Sequence, residues 1–343
     1  MERIQNFLKS IGLKEPFQIQ PIAQDASDRR FYRIAQAQKS FVLMEIVNPN
    51  PIVSAPVKLY HSSEHELPYV NIGRYLAQIG VPVPKIIGAN QDKSFILLED
   101  MGRRLLSEII AQRPELTRTL YRKAIDILVK LQAGSVTNPD SSCFAFQMEF
   151  GYPIIRWELE HFLEFGVEKR AQALPDNVRA ALKSELDSLA QKIDSIPKIL
   201  MHRDYHARNL VVNDSGDVGV TDFQDALWGP ETYDIASLLF DAYIDLDEQL
   251  KTELVQRYLE LRTSSGLEPR NFDEFYEQIK LTALQRLLKV IGRFVYLAKE
   301  KSKPSFLNHL PRVKSSALSL LENLPQMERL KMLVKPYLEG ENA

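Results

Sequence analysis

The spacing of apolar residues along the chain changes near residue 101. Before that point they alternate with polar residues or come in short runs. Strands are predicted over residues 31–34, 40–46, 85–89 and 95–99, with polar residues 35–39 as a hairpin connection. One helix interrupts this regime at residues 65–80, where Val70, Ile72, Tyr75, Leu76 and Ile79 keep helical spacing and Gly80 ends the run. Residues 1–20 read as a helix followed by a turn near Pro16, and residues 48–63, with three prolines, read as a loop. Val81-Pro82-Val83-Pro84 is held extended by proline.

Beyond residue 101 apolar residues recur every three or four positions. Helices are predicted over residues 104–133, 154–170, 176–194, 234–262, 272–300 and 312–335. In residues 154–170 the stripe Trp157, Leu159, Phe162, Leu163 and Phe165 reads as core, with Glu158, Glu160 and Glu164 exposed or at a cleft rim. A hairpin breaks the helical region: Leu210-Val211-Val212 and Val218-Gly219-Val220-Thr221 flank the turn-rich stretch Asn213-Asp214-Ser215-Gly216-Asp217. The expected architecture is α+β in two lobes: a β-rich unit over residues 1–100 and a helical unit over residues 101–343. Residues 97–102 form the hinge.

Composition narrows the function classes. The 343 residues are 45% hydrophobic with a formal net charge of −2, which supports a sizeable core and leaves no basic excess for nucleic acid. The start, MERIQNFLKS, lacks the regions of a signal peptide, and no apolar run approaches the roughly 18 residues of a membrane helix. Cys143 is the single cysteine, so neither an internal disulfide nor a cysteine zinc site is expected. A cytoplasmic protein without nucleic-acid or membrane partners is the expectation, with the oligomeric state left open.

The chemistry concentrates in MHRDYHARNLVVNDSGDVGVTDFQD, residues 201–225. Asp204 and Asn209 follow the pattern H-R-D-x-x-x-x-N, and Asp222 opens D-F-Q where protein kinases have D-F-G. Phosphoryl transfer from ATP needs such parts. One carboxylate accepts the proton of the attacking hydroxyl, while an amide and a second carboxylate hold Mg²⁺ against the phosphates. Mg²⁺ takes oxygen ligands and keeps positions for water and phosphate, which suits Asn209 with Asp222. The hairpin would bring these two residues together at its open end. An H-x-D pair alone is ordinary turn chemistry; the whole pattern between apolar strands is not.

With His202, Asp204, Asn209 and Asp222, and Leu98-Glu99-Asp100 at the hinge, the chain resembles the aminoglycoside phosphotransferase (choline kinase-like) family, which has the protein-kinase-like fold. The resemblance implies ATP and Mg²⁺ as cofactors, Asp204 as catalytic base and Asn209 and Asp222 as metal ligands. It further implies adenine contacts from the backbone near Glu99 and Met101, and a structural role for Asp234 beneath the catalytic loop. Four stretches resemble one branch of the family, the bacterial cell-wall recycling kinases that phosphorylate the anomeric hydroxyl of N-acetylmuramate or N-acetylglucosamine. These are residues 25–33 (DASDRRFYR), 202–209, 222–234, and 284–292 (LQRLLKVIG) with 310–313 (LPRV). A small-molecule amino-sugar substrate follows from that branch. Two other readings stay open: a kinase of another small alcohol, such as an aminoglycoside, a choline-like molecule or homoserine, and a nucleotide-binding pseudokinase that regulates.

The N-terminal half departs from the general kinase pattern. Met44 stands about where the phosphate-binding lysine of the third strand belongs, and no glycine-rich loop precedes it. Ser27, Arg29, Arg30 and Arg33 lie just upstream, and an arginine among them could supply the missing charge. On the substrate side, His206 and Arg208 flank the base, and Asp225 follows Asp222 by three residues. Arg286, Lys289 and Arg293 share one helix face that either meets the cleft, as a site for a sugar carboxylate or acetamido group, or is solvated.

Overall fold

The structure, a computed structural model, describes residues 1–22, 29–36, 39–47, 66–90, 94–170 and 174–340. Ser27 and the proline-rich segment 48–63 lie outside the described residues.

The chain opens with α1 (Glu2–Ser10), whose Ile4, Phe7 and Leu8 form one buried stripe. An antiparallel sheet follows: β1 (Gln18–Ile22), β2 (Arg29–Gln36), β3 (Lys39–Ile46), β4 (Ile86–Ala89) and β5 (Phe95–Glu99), in the spatial order β1-β2-β3-β5-β4. Residues facing each other across an antiparallel pair share a face, and successive residues alternate. The register therefore sorts the side chains: Tyr32 pairs with Leu43, Phe31 with Met44, and Met44 with Ile96. Ile34, Leu43, Phe95 and Leu97 pack under α1. Met44, Ile96 and Leu98 pack on the other face with Tyr69, Ile72, Tyr75 and Leu76 of α2 (Pro68–Gln78). That second face looks toward the rest of the molecule: Tyr69 meets Phe223 with ring centroids 4.5 Å apart.

The chain leaves the sheet at Glu99 and passes Gly102, whose φ is +149°. A Cβ there would lie 2.6 Å from the Val212 carbonyl oxygen, so glycine is required for the linker to run so close to the hairpin. The helical part contains α3 (Leu106–Gln112), α4 (Thr117–Thr137), α5 (Tyr152–His161), α6 (Asp176–Asp194), α7 (Tyr233–Leu239), α8 (Glu248–Ser264), α9 (Phe272–Glu300), α10 (Leu310–Glu322) and α11 (Glu328–Glu339). Two small sheets are set among them. Strands β7 (Lys198–Met201) and β10 (Leu227–Pro230) pair with each other, and β6 (Arg104–Leu105), β8 (Leu210–Val212) and β9 (Val218–Val220) form the second. The long α9 runs through the core of this part. A π-helical segment, Phe162–Glu168, continues α5 and packs on α9. The two meet where a Cβ on Gly292 would stand 2.7 Å from the His161 carbonyl oxygen. Among the described residues no helix is long and apolar enough to cross a membrane.

Three helices expected as single runs are broken. Residues 104–133 divide at the 3-10 turn Pro114–Leu116, and residues 312–335 divide at the turn Pro325–Met327, because proline cannot donate to the preceding turn. Residues 234–262 divide after Leu239. There Asp241 turns back to accept the backbone N–H of Ala207, and Asp247 restarts the chain as the N-cap of α8, accepting from Leu250 N–H.

Candidate active site

The site is built on the hairpin β8–β9 and the loop before it. That loop is pinned from beneath. Asp234, in the first turn of α7, accepts the backbone N–H groups of His202 and Arg203 at 2.6 and 2.9 Å. Asp241 accepts those of Ala207 and Tyr243, both at 2.9 Å. His202 is fully buried: its Nε2 lies 2.9 Å from the Thr221 carbonyl oxygen and its Nδ1 accepts the Asp204 N–H at 3.3 Å. This arrangement selects the Nε2–H tautomer and joins the loop to the strand that carries Asp222.

Asn209 and Asp222 meet at the open end of the hairpin. The Asn209 carbonyl oxygen accepts both the N–H and the hydroxyl of Thr221, at 2.9 and 3.0 Å. Asn209 Nδ2 donates to the Asp204 carbonyl at 2.9 Å, which turns Oδ1 the other way. Arg203 and Asp222 take positive φ values, 78° and 62°. Side chains other than glycine adopt this region at a cost of about 1–3 kcal/mol, and such residues concentrate at functional sites. Asp222 Oδ1 accepts from Arg29 Nη1 at 3.2 Å and from Gln224 Nε2 at 2.9 Å. Its side chain is 42% exposed, and Oδ2 has no partner among the described residues. Asn209 Oδ1 and Asp222 Oδ2 take no hydrogen bond among the described residues, and such a pair of oxygens would suit a hard cation arriving with phosphates and water. No group of three or more His, Cys, Asp or Glu able to cage a metal is present among the described residues.

Asp204 sits among cations. Burial pushes its carboxyl up, but Lys289, Arg203 and Arg286, with His206 in its protonated form, outweigh it and hold Asp204 well below the usual carboxylate range; burial pushes the His206 ring itself toward the neutral form. Two of these cations, Lys289 and Arg203, are held by Glu158. This carboxylate is buried and accepts from Lys289 Nζ at 2.9 Å, Arg203 Nη2 at 3.3 Å and Gln285 Nε2 at 2.9 Å. Burial works against its charge, and Lys289 and Arg203 overcome that and keep Glu158 ionised.

The predicted residues divide accordingly. Asp204, Asn209, Asp222 and Arg29 converge. Arg30 does not join them. It lies one residue along β2, on the opposite face, 57% exposed, with its Nη1 4.0 Å from Glu45. Arg33 shares the face of Arg29 but belongs to the hinge, donating to Asp100 at 2.8 Å and to the Gly102 carbonyl at 3.1 Å. Met44 is fully buried and uncharged, so no cation stands at this position of β3. Glu99 donates its N–H to the Lys85 carbonyl at 2.8 Å as the sheet ends, and Met101 lies against Gly219 of β9. His206 Nδ1 accepts the Arg208 N–H at 3.3 Å, and its ring meets Tyr243 edge-on at 5.7 Å. Arg208 stands 3.9 Å from the centre of the Tyr243 ring. Asp225 is joined to Asp222 through Gln224, which donates to both. Lys289 donates to Glu158 at 2.9 Å and to the Tyr233 hydroxyl at 3.2 Å. Glu158 is not at a rim, and Trp157, read as core, is 37% exposed. Gln224, Asp241 and Glu158 carried no motif. Only Gln224 left a trace in the sequence, as the departure from D-F-G.

A profile of the phosphotransferase enzyme family matches residues 18–271. The N-acetylmuramate/N-acetylglucosamine kinase of Pseudomonas aeruginosa is 30% identical over 337 residues, covering 97% of this chain and 92% of that protein. The enzyme of the same name from Neisseria meningitidis serogroup B is 31% identical over 322 residues, covering 91% and 90%. Among solved structures, an ADP-bound aminoglycoside phosphotransferase superposes with a TM-score of 0.63 at 14% identity, covering 96% of this chain and 98% of that one. The fold is therefore that of the kinase-like small-molecule phosphotransferases, with a β-sheet N-terminal lobe and a helical C-terminal lobe, and the chain belongs to the phosphotransferase enzyme family.

Proposed function

We propose that this protein transfers the γ-phosphoryl group of ATP to the anomeric hydroxyl of an N-acetylated amino sugar, N-acetylmuramate or N-acetylglucosamine. The observation that carries this reading is the likeness, at about 30% identity over nearly the whole length, to kinases named for those two sugars.

The geometry around Asp204 is compatible with that acceptor. A hemiacetal hydroxyl is more acidic than an ordinary alcohol. In a loose transition state its proton leaves late, so a weak base that is always ionised is adequate. The cations around Asp204 make it such a base. Asn209 Oδ1 and Asp222 Oδ2 would hold Mg²⁺, which when bound neutralises phosphate charge. Arg29, fixed beside Asp222, would lie against the phosphates. The backbone between Glu99 and Met101 is the linker to which the adenine is assigned.

The test is ADP release with a panel of acceptors at equal concentration: N-acetylmuramate, N-acetylglucosamine, an aminoglycoside, choline and homoserine. Turnover with the amino sugars and none with the other three is expected. Turnover confined to the aminoglycoside, choline or homoserine would replace this reading with another small-alcohol kinase, and no turnover with intact nucleotide binding would favour a regulator.

A further inference from the structure

Two arginines on α9, Arg286 buried and Arg293 partly buried, have no anionic partner among the described residues. Arg286 is 6% exposed and its Nε is buried with no hydrogen-bond partner. Its guanidinium meets the Tyr233 ring, 5.1 Å from the centre, and forms no ion pair or hydrogen bond among the described residues. Arg293, two turns along the same face, likewise has no anionic partner there and only the Tyr296 ring at 5.2 Å. A guanidinium taken out of water is ordinarily paired, because the desolvation cost is several kcal/mol. Lys289, between them, obeys that rule through Glu158.

Arg286 shares the Tyr233 ring with Lys289, at 5.1 and 5.9 Å, and Lys289 reaches through Glu158 to Arg203, the residue before Asp204. The Asp204 carboxylate feels Arg286, and Arg293 in turn feels Asp204. Beside Arg293 stands an aromatic wall. Trp157 stacks on His161 with ring centroids 5.8 Å apart and planes at 13°, and Tyr296 closes on His161 at 5.3 Å. The His161 Nε2 is buried without a partner, and Trp157 is 37% exposed. An apolar ring face next to unpaired donors suits a sugar that carries a negative group: C–H bonds pack on the rings while an anion meets the guanidinium.

We infer that Arg286 and Arg293 form an anion-binding subsite of the acceptor pocket that takes the carboxylate of an acidic amino sugar. The inference rests on the acceptor class proposed above and adds that the acid is preferred over its neutral counterpart. The alternative occupant of Arg286 is the transferring phosphoryl group, and the same experiment separates the two.

The experiment compares kcat and KM for N-acetylmuramate, its methyl ester and N-acetylglucosamine in the wild type, Arg293→Gln, Arg286→Gln and Arg286→Lys. In the wild type the ester should behave like the neutral sugar. In Arg293→Gln the acid-to-neutral ratio of kcat/KM should fall about 10- to 100-fold, through KM, as expected for one lost charge-assisted hydrogen bond. Arg286→Gln should fall similarly and Arg286→Lys less. Should Arg286→Gln lose its thermal unfolding transition, the partly exposed Arg293 decides the matter. An unchanged ratio in Arg293→Gln would overturn the subsite while leaving the kinase reading intact. Equal loss of kcat for all three acceptors in Arg286→Gln would reassign Arg286 to the phosphoryl group. If the wild type turns over none of the three, the functional reading itself fails.

Discussion

Arg29 Nη1 lies 3.2 Å from Asp222 Oδ1, joining the second strand of the sheet to the segment that follows the hairpin of the helical lobe. This contact accounts for Met44. Buried Met44 stands where the phosphate-binding lysine would be, and we propose that Arg29 of the neighbouring strand supplies that cation from the same face of the sheet. Arg29→Ala should raise the KM for ATP about 10- to 100-fold, the size of a lost charge-assisted hydrogen bond, with a smaller change in the KM for sugar. Arg30→Ala should leave ATP kinetics near wild type. Equal effects from the two substitutions, measured by initial rates, would remove Arg29 from the phosphate site.

Asp204→Asn should fold and bind nucleotide as the wild type does, yet lose roughly 10²- to 10⁴-fold in kcat, the range of general-base catalysis. Because its cations keep Asp204 ionised far below neutrality, the wild-type rate should show no loss assignable to this residue between pH 5 and 8. Single-turnover rates in the variant within a few-fold of wild type would take Asp204 out of the reaction.

Asp222→Ala should abolish the Mg²⁺-dependent part of ATP binding, since an apolar side chain offers a hard dication nothing. Calorimetric titration with and without Mg²⁺ reads this directly. An Mg²⁺-dependent affinity equal to that of the wild type would contradict the assignment.

Asp234 provides a pH signature of opposite sign in stability and rate. Burial pushes its carboxyl from the ordinary 3.8 up to about 6, against the N–H groups of His202 and Arg203 that favour the charged form. Between those two values the folded chain holds a proton that the unfolded chain has released. The stability due to this group is therefore fully present below the lower value and is lost as pH rises through about 6. Deprotonation gives the catalytic loop its second acceptor, so kcat should rise over the same interval. The Tm advantage of the wild type over Asp234→Asn should shrink from pH 4 to 7; parallel Tm curves would refute this.

The site was legible in the sequence where its parts are neighbours in the chain. Asp204, Asn209 and Asp222 span one hairpin, so spacing and turn chemistry bring them together without tertiary information. The bounds of α9, Phe272–Glu300, follow from periodicity and from Asn271, whose side chain caps the helix by accepting the Glu274 N–H. What was hidden depends on distant partners. Glu158 looks like a surface residue of α5, and only Arg203 and Lys289, brought from elsewhere in the chain, explain its burial. Asp241 looks like part of a helix until the Ala207 N–H, 34 residues away, claims its side chain. The choice between Arg29 and Arg30 turns on a single step of strand register, which places adjacent residues on opposite faces.

The central claim is phosphorylation at the anomeric oxygen, and one comparison addresses it most directly. Wild-type enzyme with ATP and Mg²⁺ is given N-acetylmuramate or N-acetylglucosamine beside its 1-O-methyl glycoside, which blocks that oxygen and leaves every other hydroxyl free. Phosphorus NMR should find a sugar 1-phosphate from the free sugar and no phosphorylated product from the glycoside. Phosphorylation of the glycoside at a rate comparable to the free sugar would contradict the account.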